Sequence, residues 1–214
     1  MQHGEVAFLD FPEYDRLVRA ARALDPRIEI MVLLGGDAGL RRWEIVGLEW
    51  RDVDFERGFM TIRRSDWDGQ VTAPKGGRSR KIPLTGVLLA ALNAHRHLRG
   101  QRVLCHDDGT QVGRKALHGW MGQANRRANL NVGDKGLHIL RHTFCSHLAM
   151  RGAPAKAIQE LAGHADLTTT LRYMHLSPAA RDSAIRLLDT RPMGDRGDAG
   201  ETDVSPSRNA VEHW

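Results

Sequence analysis

The 214-residue sequence contains only two cysteines, and it contains no apolar run of about 18 residues or more, the length that a membrane-spanning helix requires. Cys105 and Cys145 lie far apart without a CxxC spacing, so they indicate no disulfide framework and fit a reducing compartment. Residues 1–10 hold neither a basic segment nor an apolar core, so no secretory signal is indicated. We therefore expect a cytoplasmic protein.

Lysine is scarce as well: arginine accounts for 26 of the 31 basic residues, which stand against 26 acidic residues. The formal net charge is +5, and it is +7 for residues 1–189 because the remaining tail is acidic. This modest excess favours a polyanionic partner, since the planar guanidinium of arginine matches phosphate oxygens. A GC-rich genome also enriches arginine, so composition by itself favours a nucleic acid only weakly.

Apolar periodicity and capping residues predict a mostly helical chain with one small sheet. Helices are expected over residues 11–25, 28–36, 42–47, 85–98, 113–129, 137–150, 154–163 and 168–175. The segments 59–64, 70–74 and 80–84 predict three short strands of one antiparallel sheet, because turn residues separate them. The predicted fold class is mainly α with a small antiparallel β-sheet (α+β).

The last part of the chain differs in composition from the rest. A short amphipathic helix is expected from Pro178 to Leu188, and beyond it the sequence is rich in Gly, Asp, Ser and Pro. Such a composition cannot bury enough apolar surface to order itself. We therefore expect one domain over residues 1–189 and a disordered tail over residues 190–214.

The predicted helix that begins at Leu137 carries an unusual set of side chains on one face. His138, Arg141, His142 and Cys145 follow at i, i+3, i+4 and i+7, opposite the stripe that would face the core. Cationic groups this close repel one another unless an anion lies among them. A solvated polar face is equally compatible with the pattern. Zinc binding by the two histidines is a third reading, but Ile139 stands where a zinc hydrolase has glutamate.

Five motifs in order resemble the tyrosine recombinase and phage integrase family. HILRH (138–142), LAGH (161–164) and TTLRYMH (169–175) are similar to its C-terminal signature, with the tyrosine nine residues after the histidine of LAGH. AGLRRWEIVGLEWRDVDF (38–55) resembles its first arginine motif, and TAPKGGRSRKIPL (72–84) resembles the hairpin that carries its lysine. Each motif alone is weak evidence, but five in the right order and spacing are specific. The resemblance covers about residues 8–180.

The resemblance implies DNA strand cleavage and rejoining. Tyr173 would attack a phosphodiester, form a 3′-phosphotyrosyl link and free a 5′-hydroxyl, which then attacks a partner strand. Arg41 and Arg141 would bind the nonbridging oxygens of the phosphate. Two guanidinium groups would supply the positive charge that a metal ion supplies in other phosphoryl-transfer sites. The covalent link conserves the energy of the broken bond, so no cofactor is expected.

The remaining family positions imply proton transfer and support. His138 would accept the proton of the tyrosine, whose reference pKa of about 10 leaves it protonated at pH 7. Lys75 would protonate the leaving 5′-oxygen, and His164 would donate to a phosphate oxygen. Glu44 would hold Arg41 or His138 in place, and His142 is more readily a supporting residue than a catalytic one.

Some residues near these motifs stay open. Trp43 departs from the small residue that the family places before the glutamate, so its role in packing or DNA contact is undecided. Trp67, Arg78 and Arg80 flank the hairpin, where phosphate contact and simple solvation are equally compatible with the sequence.

The expected partner is double-stranded DNA, with a homotetramer that assembles on DNA, no membrane contact, and association with the nucleoid if the protein is bacterial. Family members carry a core-binding domain before the catalytic domain, and this sequence shows none, so we expect weak and salt-sensitive DNA affinity. Three alternatives differ in class: a binding or regulatory fragment that no longer recombines, a topoisomerase-like relaxing activity, and a zinc hydrolase.

Overall fold

The computed structural model describes residues 7–67, 69–74, 77, 79–132, 136–176, 185–186 and 188. The helices are α1 (Phe11–Arg22), α2 (Pro26–Gly36), α3 (Arg42–Gly47), α4 (Gly86–His95), α5 (Arg114–Ala128), α6 (His138–Met150), α7 (Ala155–Ala162) and α8 (Leu167–Leu171). The strands are β1 (Val53–Asp54), β2 (Phe59–Ile62), β3 (Ser65–Trp67), β4 (Gln70–Thr72) and β5 (Arg80–Pro83), and single 3-10 turns span Trp50–Asp52 and Met174–Leu176. The mainly helical fold class is thereby confirmed.

Local capping explains where several helices begin and end. Asp10 and Glu13 form a reciprocal capping box at the start of α1, and the Thr85 hydroxyl caps α4. Gly163 ends α7 in the left-handed conformation, at φ 67°. Three predictions are wrong: α1 ends at Arg22 rather than at residue 25, α4 ends at His95 rather than at residue 98, and the helix expected over residues 168–175 is interrupted at residues 172–173.

The strands form two sheets, which corrects the prediction of a single sheet built from segments 59–64, 70–74 and 80–84. β2 pairs with β5 and with β1 in an antiparallel sheet of order β1-β2-β5. β4 pairs instead with β3 in a separate two-stranded hairpin. β4 follows β3 closely in the chain and pairs with it. The edge of β2 is therefore left for β5.

The core is built around α2, whose side chains are buried on every side. This helix contacts α1, α4, α5 and α6, so it fixes the position of α6 relative to the other three helices. A second, smaller cluster contains Phe144 and Cys145 of α6, Ile158 and Ala162 of α7, and Tyr173. The second cluster joins α6, which carries His138, Arg141 and His142, to α7, whose C-terminal end precedes His164.

The chain divides into a unit of residues 1–180 and a unit of residues 181–214. Of the second unit, only residues 185, 186 and 188 are described, and all three are exposed. The amphipathic helix expected over residues 178–188 and the tail over residues 190–214 therefore lie almost wholly outside the described residues. In the part of the chain that is described, no helix is long and apolar enough to cross a membrane.

Candidate active site

Helix α6 presents the HILRH motif, but its polar residues do not lie on a solvated face. Arg141 is 7% exposed and Cys145 is fully buried, because α7 and the turn after α8 cover this side of the helix. Of the four residues on this face, only His138 is exposed, and His142 is partly buried. The reading of a solvated polar face is therefore wrong, since three of the four side chains are buried or partly buried.

The C-terminal end of α7 holds three arginines through its last carbonyl groups. Arg80 Nε donates to the carbonyl of residue 161 at 2.9 Å, Arg141 Nη1 to that of residue 162 at 2.6 Å, and Arg41 Nη2 to that of residue 163 at 2.6 Å. Carbonyls in the last turn of a helix lack partners within the helix and carry its partial negative charge. They therefore satisfy and attract guanidinium groups that would otherwise repel each other.

Glu44 is the acidic member of this cluster. Its buried carboxylate accepts hydrogen bonds from Arg41 Nη1 at 2.9 Å and from Arg80 Nη1 and Nη2 at 3.0 and 2.8 Å. It also accepts from the backbone N–H of Arg41, which caps α3. Burial acts to raise the pKa of Glu44, but the bonds from Arg80 and Arg41 outweigh it and lower that pKa. The carboxylate is therefore ionised at neutral pH.

Arg141 has more donors than partners. Its Nη1 donates to the carbonyl oxygens of Gly39 and Ala162, both at 2.6 Å, whereas its buried Nη2 has no hydrogen-bond partner among the described residues. Burial and the charge of Arg41 lower the pKa of Arg141 to about 10, which still leaves it charged at pH 7. A buried guanidinium with an unused donor is costly unless an anion completes it.

Gly39 makes possible the hydrogen bond that Arg141 donates to its carbonyl oxygen. It has φ +65°, and a Cβ atom there would lie 2.4 Å from the Phe144 ring. A larger residue would push the segment before α3 away from α6. The glycine of the AGLRR motif therefore lets the carbonyl of residue 39 reach Arg141.

Tyr173 lies in the turn after α8 and points back at α6. It is only 4% exposed, and its hydroxyl is 2.7 Å from His142 Nδ1. The Cys145 thiol lies within hydrogen-bonding reach of the same hydroxyl, and the His164 ring is stacked parallel to the tyrosine ring. Burial, together with the neighbouring Cys145, raises the pKa of Tyr173 to about 12. The phenol is therefore protonated at pH 7 and needs a proton acceptor before it can act as a nucleophile.

His164 follows the left-handed Gly163 directly. Its Nδ1 lies 2.9 Å from the buried hydroxyl of Thr170, which orients the ring. Burial and the positive charges of Arg141 and Arg41 lower the pKa of His164 to about 4. The imidazole is therefore neutral at pH 7 and offers one N–H and one lone pair.

His138 lies at the first position of α6 and is exposed. Burial of part of its ring and the charges of Arg42, Arg141 and Arg41 lower its pKa, so this imidazole is also neutral at pH 7. No hydrogen bond joins it to Tyr173 in the described structure. The histidine in contact with the tyrosine hydroxyl is His142, which sequence reasoning ranked as a supporting residue.

Of the eight predicted site residues, the seven that the structure describes converge. Those that the structure brings to this site are Arg41, Glu44, His138, Arg141, His142, His164 and Tyr173. Lys75 and Arg78 lie outside the described residues. Arg80 is neither solvated nor free to meet DNA, because its guanidinium is turned inward onto Glu44. Trp67 is 59% exposed on β3.

Sequence reasoning missed the contributions of Arg80, Cys145 and Thr170 to this site. Thr170 could have been found, since a residue six positions after His164 on a short helix can reach back to it. The inward direction of Arg80 left no signal in the local pattern. In the described residues, no group of three or more His, Cys, Asp or Glu side chains is arranged to hold a metal ion.

The fold is that of tyrosine recombinase catalytic domains. It is similar to the catalytic domain of bacteriophage HP1 integrase with a TM-score of 0.64 and 23% identity, over 91% of this chain and all of that one. The chain belongs to the Phage integrase family, which it matches over residues 7–180. The resemblance that the motifs indicated is thereby confirmed.

Two further relatives extend this comparison. Tyrosine recombinase XerC of Erythrobacter litoralis is 32% identical over 181 residues, which are 84% of this chain and 56% of that protein. The Tn1549 transposon integrase, solved in complex with a circular intermediate DNA, is 26% identical with a TM-score of 0.62, over 76% of this chain and 57% of that one. This chain spans about half the length of the first curated relatives that it matches.

Proposed function

We propose that this protein is a site-specific DNA recombinase that cleaves and rejoins DNA strands through a 3′-phosphotyrosyl intermediate. The observation that carries the proposal is the buried Arg141 guanidinium, which has a donor without a partner among the described residues and whose charge acts on the buried Tyr173 hydroxyl. Family membership and the DNA-bound state of the Tn1549 integrase support DNA as the substrate. Double-stranded DNA supplies the phosphodiester that would complete Arg141.

Arg41 and Arg141 bind the nonbridging oxygens of the scissile phosphate in this proposal. Both are anchored by carbonyl groups at the end of α7, so their positions are set before DNA arrives. Preorganised donors aimed at developing charge lower the barrier to phosphoryl transfer. His164 adds a third donor: with Thr170 donating its hydroxyl proton to Nδ1, the remaining N–H lies on Nε2 and faces the phosphate.

Tyr173 is the nucleophile, and a histidine takes its proton. His142 Nδ1 is already 2.7 Å from the hydroxyl, so we assign His142 as the first acceptor. His138, the residue that the family resemblance implies for this role, is exposed beside Arg41 and Arg141, and we place it at the phosphate instead. Lys75, in the segment between β4 and β5, protonates the leaving 5′-oxygen in this proposal.

Assembly completes the proposed reaction. Strand exchange requires two duplexes, and four protomers on these duplexes supply one tyrosine for each strand that is cut. We propose that the tetramer forms only on DNA, because a closed ring of head-to-tail contacts needs the DNA to set its geometry. In a bacterium, such a protein would be associated with the nucleoid.

The test is covalent capture on DNA. Duplexes with randomised arms carry a nick a few nucleotides beyond the cleavage position, so that the short 5′-hydroxyl fragment diffuses away and the adduct accumulates. We expect an SDS-resistant protein–DNA adduct that forms in EDTA, and sequencing of its DNA identifies the target. Tyr173→Phe removes one hydroxyl and is the matched control. An adduct that persists in this variant, or none with the unmodified chain, contradicts the proposal.

A further inference from the structure

Arg80 differs from Arg41 and Arg141 in the described structure, because all three of its guanidinium nitrogens are bonded to Glu44 or to the carbonyl oxygen of Leu161. It begins β5, yet its side chain is only about 10% exposed and turns under the sheet toward α3 and α7. We propose that Arg80 is a positioning residue that frees Arg41 to bind the scissile phosphate by neutralising Glu44. This inference rests on the proposed function, since it assigns a role in the same reaction.

The contacts of Arg80 use its whole guanidinium. Nη1 and Nη2 bind the two oxygens of Glu44 at 3.0 and 2.8 Å, and Nε donates to the carbonyl oxygen of Leu161 at 2.9 Å. A Cβ atom at Gly163 would lie 3.0 to 3.1 Å from three atoms of this side chain, so it is also packed closely against the end of α7. A bidentate pair of this kind fixes the carboxylate in one orientation.

Glu44 would otherwise be a competitor for Arg41. The two arginines share Oε1 of the carboxylate, so Arg41 makes only one side-chain bond to Glu44 and directs its Nη2 to the carbonyl oxygen of Gly163. Without Arg80, the buried carboxylate keeps Arg41 as its sole guanidinium partner among the described residues. The attraction between the two would then draw Arg41 into a bidentate pair and away from the phosphate position.

The charge of the cluster leads to the same conclusion. Arg41, Arg80, Arg141 and Glu44 together carry a charge of +2, and attack of a phenolate on a phosphodiester produces a transition state with two negative charges. Removing Arg80 lowers the charge to +1 and leaves the transition state undercompensated. Removing the charges of Arg80 and Glu44 together restores +2. The pair can therefore be tested by the recovery of function in a double variant.

The first experiment measures single-turnover cleavage of the nicked DNA. We expect Arg80→Gln to lower the rate constant about 100-fold through displacement of Arg41, with little change in the DNA concentration at half saturation. The double variant Glu44→Gln with Arg80→Gln should cleave with a rate constant about tenfold higher than that of Arg80→Gln alone. Arg102→Gln is the matched control, because Arg102 also binds a buried carboxylate, that of Asp66 at 2.6 Å, and its described partners Gly47, Glu49 and Asp66 do not belong to the site.

Two outcomes would overturn the inference. One is cleavage by Arg80→Gln at the rate of the unmodified chain. The other is a double variant no more active than Arg80→Gln while both keep the melting temperature of the Arg102→Gln control, because a purely structural role predicts no recovery through charge.

A second measurement does not depend on catalysis. Inorganic phosphate is titrated into each variant, and binding is followed by the line width of its phosphorus NMR signal. We expect Arg80→Gln to weaken phosphate binding and the double variant to restore it. Unchanged phosphate binding in Arg80→Gln overturns the inference, even if the chain forms no adduct with DNA. If the variants change phosphate binding as expected but the unmodified chain forms no adduct, only the proposed reaction is rejected.

Discussion

The contact between Tyr173 and His142 shows how single residues at this site constrain one another. Burial keeps the phenol protonated, with a pKa raised to about 12, while it places the hydroxyl 2.7 Å from His142 Nδ1. Burial thus disfavours the reactive phenolate, but it also holds the hydroxyl next to the group that accepts its proton. Bound phosphate and its arginines must supply the remaining stabilisation of the phenolate.

The proposed roles of His142 and His138 predict that a more acidic nucleophile restores cleavage in a His142 variant but not in a His138 variant. His142→Leu should lower cleavage by about 10²–10⁴-fold because it removes the acceptor that contacts Tyr173. Replacement of Tyr173 by fluorotyrosine should recover much of this loss, since a more acidic phenol depends less on a base. His138→Leu should lower cleavage without such recovery, because a phosphate contact is insensitive to the acidity of the phenol. The measurement is single-turnover cleavage of nicked DNA, and recovery confined to His138→Leu would reverse the two assignments.

At the scale of secondary-structure elements, α7 and its C-terminal glycine organise the site. One short helix end receives an arginine from the segment before α3, another from β5 and a third from α6. Each comes from a distant part of the sequence, so the helix terminus is where these parts meet. The left-handed Gly163 turns the carbonyl of residue 163 and the ring of His164 toward the same space.

Gly163→Ala tests this element. We expect it to lower the free energy of unfolding by about 1–2 kcal/mol, because the left-handed conformation is unfavourable for alanine, and also to lower DNA cleavage, because the new Cβ displaces Arg80. Gly152→Ala is the matched control: Gly152 has φ +80°, and no atom lies within 4 Å of its Cβ position. Urea denaturation and adduct formation measure the two effects. Equal cleavage by the two variants would show that Arg80 tolerates the contact.

The segment between β4 and β5 carries Lys75, and the proposed role of Lys75 depends on the leaving group. Lys75→Ala should strongly impair cleavage of ordinary DNA but impair much less the cleavage of DNA with a 5′-bridging sulfur at the scissile position. A thiolate leaves without protonation, so a general acid has little to contribute there. Rates of adduct formation on the two substrates give the answer, and equal impairment on both would assign Lys75 another task.

At the scale of the whole molecule, the site affects stability as pH falls. The unfolded chain binds a proton at His164 near pH 6.5, whereas the folded chain does so only at about pH 4. Between these values the unfolded state holds more protons, so the free energy of unfolding should decrease as pH falls through this window. His164→Gln should decrease less steeply in urea titrations between pH 7 and 4.5. Identical slopes for both proteins would mean that the imidazole titrates normally in the fold.

The oligomeric state is a second property of the whole molecule. We expect a monomer in the absence of DNA and a tetramer on DNA that carries two target sites, as measured by light scattering. Deletion of residues 178–214 should spare adduct formation and reduce strand exchange, if that segment links neighbouring protomers. A stable tetramer without DNA, or undiminished exchange after the deletion, would contradict this assembly scheme.

The sequence by itself determined the features that depend on neighbouring residues. The starts of α1 and α4 follow from side-chain caps within three residues, and the end of α7 follows from a glycine. The order and spacing of the motifs identified the family, which the match over residues 7–180 confirmed. Such signals can be read from sequence because the interacting groups lie within one or two helical turns of each other.

Only the tertiary structure decided which side chains meet. Tyr173 contacts His142 across 31 positions, Arg80 contacts Glu44 across 36, and Arg41 reaches Gly163 across 122. The same long-range pairing placed β5 beside β2 and buried most of the face of α6 for which a solvated surface was one of the alternatives. Local patterns carry no information on these contacts, because the direction of a long side chain depends on the elements that pack around it.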